Sequence, residues 1–287
     1  MIKLAVPNKG RLSDKTVAIL NRAGFKFNNV TRRLSSRVKN YDMEIIFARA
    51  RDIPEFLSKG TVDMGITGLD VVFEKKSDAR KLLDLDYGGC ELVLAAPKTK
   101  KIKTIAELKK IKNSRIATSF PNITKTFLDL NKVKAEIIEM SGAVELAPKL
   151  GIADAIVDLS SSGETLKIND LAPVQTIMES TACLFANKDS MKKKKDDVNR
   201  VKTALDSVLF ADEKKYLMAN IPKKSMGKVK TIIPGLSSPT IMPLMGTDDL
   251  FAVQAVVDEK DTANIVEKLK KLGATGILIL NIEQLTP

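Results

Sequence analysis

Two passages of the chain echo each other at a fixed offset, and this repetition limits the fold more than any single motif does. EFLSKGTVDMGITGLDVVFE starts at Glu55, and ELAPKLGIADAIVDLSSSGETL starts at Glu145. Each reads as a helix closed by a glycine, Gly60 or Gly151, then Gly-x-x-Asp leading into a short aliphatic strand, with Asp63 and Asp154 91 residues apart. CELVLAAP from Cys90 is answered by CLFAN from Cys183, at an offset of 93. Helix, glycine cap and buried strand in succession build α/β units on a mostly parallel sheet. Strands near 90–97 and 182–187 lead out of one unit and back, which predicts two lobes hinged by crossing strands. Ligands of such folds sit near strand C-terminal ends and helix N-termini. The two cysteines fit as small buried residues of those strands.

Beyond the repeat, Lys192 to Lys195 open a helical pattern in which Val198, Val201, Leu205, Val208 and Leu209 share a face. The pattern predicts a helix to about Ala219, stopped by Pro222. A lysine run can bind nucleic acid, but this one has no interleaved aromatics and reads as a solvated linker. From about 225, KVKTIIPGLSSPTIMPL reads as strand, turn, strand, with Pro234-Gly235 and Ser238-Pro239 as turn signals. FAVQAVV alternates as a strand, DTANIVEKLKKLG is a helix bounded by Asp261 and Gly273, and GILILNI is a strand. This is a separate βαβ module resembling ferredoxin-like units. The expected division is lobe I at 1–95 and 180–195, lobe II at 96–179, a linker helix at 196–224 and a C-terminal domain at 225–287.

Composition removes several chemistries. Hydrophobic residues at 44% suffice for a core. The chain has no histidine, so Ser-His-Asp and Cys-His catalysis and imidazole metal sites are absent. Any metal is held by oxygen, which favours magnesium carried on phosphates. Two cysteines without a Cys-x-x-Cys pair fit a reducing compartment rather than a disulfide framework. Pro7, Lys9 and Arg11 interrupt the N-terminus before a signal-peptide core forms, and no stretch reaches the roughly 18 apolar residues of a membrane span. These features predict a cytoplasmic protein. The net charge of +12 points to an anionic partner: nucleic acid, an anionic membrane or a polyphosphorylated small molecule. Nucleic acid lacks support, since neither terminus shows a helix-turn-helix pattern. Solute-binding proteins and effector domains of regulators also use two hinged lobes, but the first need a secretion signal and the second a DNA-reading module.

Four stretches carry candidate chemistry. In DLSSSGETL, Gly163 lets the chain turn while Ser160, Ser161, Ser162 and Thr165 add hydroxyl donors to backbone N–H groups, a phosphate cradle ahead of a helix. Asp158 at the strand end suits sugar hydroxyls, so the pair suits a ribose 5-phosphate; an N-capped helix start explains the same residues. No Gly-Lys-Ser/Thr follows, so it is not a Walker loop. NKGRLSD sets Lys9 and Arg11 after the first strand, with Gly10 allowing close approach, or forms a plain turn and cap. Arg49 and Arg51 in ARARDIP are spaced to fork onto phosphates, or are a surface pair. Asp86, Gly88 and Gly89 in DYGGC read equally as hinge or as ligand approach.

Taken in order, NKGRLSD, RARDIP, VDMGITGLD, DYGGCELVLA, RIATSFPN and ADAIVDLSSSGETLKINDL resemble the ATP phosphoribosyltransferase family over essentially the whole chain. PGLSSPTIMPL and KLKKLGATGILIL resemble the regulatory domain of its long form. The resemblance implies an α/β fold with a two-lobed periplasmic-binding-protein-like catalytic core and a ferredoxin-like (ACT-like) regulatory domain. It implies that adenine N1 of ATP attacks the anomeric carbon of 5-phosphoribosyl 1-pyrophosphate and magnesium pyrophosphate leaves, the first step of histidine biosynthesis. It places Asp158 toward the ribose hydroxyls, Ser161, Ser162, Gly163 and Thr165 around the 5-phosphate, and Asp154 near the ribose or the metal. Arg11 and the Asp86–Gly89 stretch fall toward ATP, with Lys9, Arg49 and Arg51 on phosphates. Histidine is implied as the inhibitor at Leu236, Ser238 and Thr240, and the assembly as dimers and hexamers. Ser162 stands where the family usually has Thr, and Glu164 where a small neutral residue is usual. A carboxylate beside a phosphate is unfavourable, so Glu164 is expected to point outward.

Overall fold

Strand β1 (Ile2–Pro7) buries all but one of its side chains, as a central parallel strand covered on both faces must. This computed structural model describes residues 1–28, 34–233, 235–236 and 238–286. The first lobe continues with α1 (Ser13–Arg22), β2 (Ser35–Arg37), β3 (Met43–Ala48), α2 (Ile53–Ser58), β4 (Met64–Gly68), α3 (Leu69–Glu74) and β5 (Arg80–Asp84). The second contains β6 (Cys90–Pro97), α4 (Ile105–Lys109), β7 (Ser114–Thr118), α5 (Pro121–Leu130), β8 (Ala135–Glu139), β9 (Ala155–Ser160), α6 (Glu164–Ile168) and β10 (Leu171–Ser180). After β11 (Ala182–Ala186) come α7 (Lys188–Lys193) and α8 (Lys195–Asp212). The C-terminal elements are β12 (Lys214–Pro222), α9 (Met226–Ile232), β13 (Thr240–Pro243), β14 (Leu250–Asp258), α10 (Thr262–Lys271) and β15 (Thr275–Asn281).

The first sheet has the order β2-β3-β1-β4-β11-β5 and the second β10-β6-β9-β7-β8. In each, three strands run parallel, β3-β1-β4 and β8-β7-β9. Antiparallel strands flank them: β11 beside β4, and β6 beside β9. The repeat survives in atomic detail. Asp63 accepts the Lys3 N–H on Oδ2 at 2.8 Å and donates its own N–H to Lys3 O at 3.0 Å. Asp154 accepts the Arg115 N–H at 2.8 Å and donates to Arg115 O at 2.7 Å. Both aspartates lock the start of a parallel strand to its neighbour.

Four expectations need correction. The strand at 90–97 does not link the lobes; β6 pairs with β9 and β10 in the second sheet, so that lobe begins at Cys90 rather than 96. The crossings are the short segment between β5 and β6 and Thr181 between β10 and β11. The helix expected between Glu145 and Gly151 is a single 3-10 turn at Val144–Leu146, because Pro148 supplies no N–H to continue it. The linker helix ends at Asp212. Residues Lys214–Pro222 form a strand that buries Leu217, Ala219 and Ile221 alternately. KVKTII is helix α9, burying Val229, not a strand.

By compactness the described chain forms two units, Met1–Ala18 with Lys26–Lys202, and Ile19–Phe25 with Thr203–Pro287. The second contains an antiparallel sheet of order β13-β14-β12-β15. With α9 and α10 this is the complete βαββαβ ferredoxin-like arrangement, not the shorter βαβ read from sequence. Leu217, Ile221, Val229, Ile233, Val253 and Leu269 fill its core.

Candidate active site

The C-terminal ends of the parallel strands converge between the two lobes, where loops rather than side-chain bulk line the space. From β1 the chain enters the turn holding Lys9, Gly10 and Arg11; from β3 it passes through Arg49 and Arg51; β7 leads into Ser119 and Phe120; β9 delivers Asp158 and Ser160. Lys9, Gly10, Arg11, Arg51, Gly68, Asp70, Ser119, Phe120 and Asp158 line one cleft of about 300 Å³. Ser160 and Ser161 line an adjoining hollow of about 500 Å³ with Gly89, Cys90 and Thr181. Cations therefore come from the first lobe together with the Asp70 carboxylate, and Asp158 and the serines from the second.

Arg11 is held from behind, its Nη2 donating to Cys90 Sγ at 2.9 Å. Arg51 spans the lobes: it donates to Ser119 O at 3.4 Å and its guanidinium lies 5.3 Å from the Phe120 ring centre. Burial pushes the Asp158 carboxyl above the usual carboxylate range; the Leu159 N–H and Arg51 oppose that shift, and Glu145 adds to it. Gly163 holds φ +74 at the start of α6, the left-handed conformation that a side chain resists. Ser161, Ser162, Glu164 and Thr165 are all exposed around it.

Not every expected residue joins this group. Asp154 sits at the opposite end of β9, locked to Arg115 and ion-paired with Lys100, so its assignment to ribose or metal does not fit the geometry. Burial would raise its carboxyl, but Lys100 and the Arg115 N–H outweigh that and leave it below the usual range. Arg49 is exposed beyond β3, and Asp86 is exposed in a left-handed conformation; neither lines the cleft. Gly88 serves the hinge, at φ +68 with Leu12 Cδ2 2.2 Å from where a Cβ would stand.

Sequence reading missed Asp70 as a support, and it placed Tyr87 toward ATP where the structure buries it among Thr16 and Thr181. Asp70, 1% exposed, lies at the floor of the cleft and accepts the Ser180 hydroxyl at 2.6 Å, joining α3 to the end of β10. Tyr87 packs its hydroxyl 2.6 Å from Thr16 Oγ1, and its carbonyl accepts Thr181 Oγ1 and the Ala182 N–H. Burial pushes its phenol up to about 12. Their neighbours are more than 70 residues away in sequence, so only VDMGITGLD and DYGGC as whole motifs hinted at them.

Residues 49–207 match the family model described as ATP phosphoribosyltransferase, and residues 211–284 match its C-terminal domain model. The chain belongs to the ATP phosphoribosyltransferase family. An ATP phosphoribosyltransferase of Methanosarcina barkeri is 43% identical, covering 100% of both chains. One from Methanocaldococcus jannaschii is 42% identical over 99% of this chain and 100% of that one. The Thermotoga maritima ATP phosphoribosyl transferase (HisG:HisZ) complex matches with a TM-score of 0.66 and 32% identity, over 73% of this chain and 99% of the other. Tv2483 bound to L-arginine, 17% identical with a TM-score of 0.50 over 74% of this chain and 86% of that one, shares the fold alone. The protein is thus a pentosyltransferase of the first step of histidine biosynthesis, in the long form with a C-terminal domain. Among the described residues no helix is long and apolar enough to cross a membrane.

Proposed function

We propose that this cleft binds ATP and 5-phosphoribosyl 1-pyrophosphate together and acts by position and charge rather than by a general base. Adenine N1 is already a neutral nucleophile, so the barrier lies in bringing two polyanions together and stabilising the leaving pyrophosphate and a ribosyl cation-like transition state. Asp158 faces the ribose hydroxyls, and Ser160, Ser161, Ser162, Gly163 and Thr165 surround the 5-phosphate. Lys9, Gly10, Arg11 and Arg51 take the ATP and pyrophosphate oxygens. Gly89 lines the adjoining hollow, whereas Arg49, Asp86 and Gly88 stand outside both linings and are left without a direct role in this reading. The observation that carries this reading is the convergence of Lys9, Arg11, Arg51 and Asp158 from both lobes on one cleft. Among the described residues no three carboxylate or thiol groups converge on a point. A magnesium ion would arrive on the pyrophosphate, and Asp158, which lines the cleft, could help to hold it.

Histidine is the proposed inhibitor of the second unit. Leu236 lines a cavity of about 250 Å³ there with Asp258, Asp261, Asn264 and Lys268, charges suited to an amino acid's ammonium and carboxylate. Ser238 and Thr240 are exposed outside it, so Leu236 is the stronger of the three candidates. A cytoplasmic homo-oligomer, dimer or hexamer, completes the reading. The test mixes the protein with ATP, 5-phosphoribosyl 1-pyrophosphate, magnesium and pyrophosphatase and follows the adenine absorbance, with and without histidine. Product requiring both substrates and suppressed by histidine is the expected result. Product indifferent to histidine would remove the effector reading and leave the cleft; no product from folded protein would overturn the cleft.

A further inference from the structure

We propose that Glu74 is a positioning residue for the transfer reaction: it fixes the Ser119–Phe120 wall of the cleft and through it seats Arg51. Glu74 ends α3 in the first lobe and is 8% exposed. Its Oε1 accepts the Asn122 N–H and its Oε2 the Ile123 N–H, both at 3.0 Å. Its main-chain carbonyl accepts Asn122 Nδ2, also at 3.0 Å. Those groups belong to the first turn of α5 in the second lobe. Among the described residues Glu74 forms no ion pair, so the unsatisfied N–H groups and positive end of α5 are what compensate its charge. Held in this way the carboxylate caps α5 and ties it to the end of α3, and the tie has a purpose in the cleft.

The purpose follows from what precedes α5. Phe120 is the residue before its first turn, and its N–H is fixed by Thr118 Oγ1 at 2.9 Å. With α5 clamped from below and the turn pinned from above, Ser119 and Phe120 present a rigid surface. Arg51 rests on that surface through Ser119 O and the Phe120 ring. Arg51, exposed as a whole, is thereby held at the lining of the cleft. The clamp also occupies the anion-attracting end of α5, leaving the substrate phosphates to the cations of the first lobe and the 158–165 loop.

This inference rests on Arg51 contacting substrate, and the experiment separates the two. Steady-state kinetics and melting temperatures are measured for Arg51→Ala, Glu74→Gln and the double variant of the full chain. Glutamine keeps the volume but meets one of the two N–H groups with its own NH₂. Glu74→Gln is expected to raise, by about 10-fold, the KM of the same substrate that Arg51→Ala weakens, with kcat changed less than about 3-fold. In the Arg51→Ala background the same change should cost less than about 2-fold, because the seat has lost its occupant. An Arg51→Ala enzyme with both KM values unaltered would overturn the reading of the cleft and this proposal with it. A normal Arg51→Ala deficit with a Glu74→Gln effect that is absent or additive would overturn the proposal alone. If Glu74→Gln does not fold, Asn122→Ala removes one of the three bonds that Glu74 makes to the start of α5. It should raise the same KM about 3-fold, and again not in the Arg51→Ala background; an additive or absent effect overturns the proposal.

Discussion

At the scale of single residues, two aspartates four positions apart on one strand have opposite electrostatics. Asp158 is half-buried at the cleft end, and that desolvation pushes its carboxyl up; Asp154 is held down at the far end by Lys100 and the Arg115 N–H. For Asp158 the charged form that accepts ribose hydroxyls exists only above the raised value. The acid limb of kcat/KM for the sugar phosphate should therefore lie above the usual carboxylate range and disappear in Asp158→Asn. Because ionising a buried group opposes folding, that variant should melt no earlier than wild type at neutral pH, while kcat/KM falls about 10- to 100-fold. Differential scanning and a pH–rate profile on one preparation check both parts. Gly88→Ala should fail for a different reason, since φ +68 disfavours any side chain and the new methyl would meet Leu12. A lower melting temperature, by an amount corresponding to about 1–3 kcal/mol, is the expected readout. Glu164→Ala should leave KM for the sugar phosphate unchanged or slightly lower, since the carboxylate is exposed at the first residue of α6.

At the scale of elements, the paired strand starts explain the internal repeat. Asp63 combines the Lys3 N–H with the Ser190 hydroxyl at 2.7 Å and Lys194 at 2.9 Å. Burial alone would raise its carboxyl, yet Lys194, Ser190 and the Lys3 N–H together leave it depressed, as the corresponding partners do for Asp154. A depressed folded-state pKa gives stability that is present above the unfolded value and lost as pH falls through the folded one. Asp154→Asn should thus lower the melting temperature at neutral pH, by an amount corresponding to about 1–3 kcal/mol, and converge on wild type in acid. KM for the sugar phosphate should stay within about 2-fold, measured by the same absorbance assay; a large KM rise would return Asp154 to the binding site. The misread C-terminal elements show the reverse problem. β-Branched KVKTII favours a strand locally, but Met226, Val229 and Ile233 fall on one helical face of the module's core, and packing decides.

At the scale of the molecule, charge and function divide together. Residues 1–202 carry 37 Lys and Arg against 25 Asp and Glu, whereas residues 203–287 carry 10 of each, so the whole net charge of +12 belongs to the catalytic part. An excess field of that kind attracts polyanions and is screened by salt. KM for both substrates should rise with added potassium chloride, while the concentration of histidine giving half inhibition moves less. Titrations at two ionic strengths distinguish these responses.

Sequence alone determined the class of this protein because its strongest signals are local and ordered. Aliphatic strands, glycine caps and the spacing of Asp63 and Asp154 specify α/β units twice over, and the lack of histidine removes most acid–base chemistry before any fold is known. The turn from strand to helix between Asp158 and Thr165 was legible because a glycine among small hydroxyl residues after an aliphatic run marks such a junction. Tertiary structure decided the rest, wherever a residue's partner lies far along the chain. Asp154 and Asp158 look equally available in sequence, and only the direction of β9 sends one into the lock and the other into the cleft. Asp70 with Ser180, Arg11 with Cys90, and Glu74 with the start of α5 are 110, 79 and 48 residues apart. Contacts over such separations depend on how two sheets are threaded through two short crossings, which no local propensity encodes.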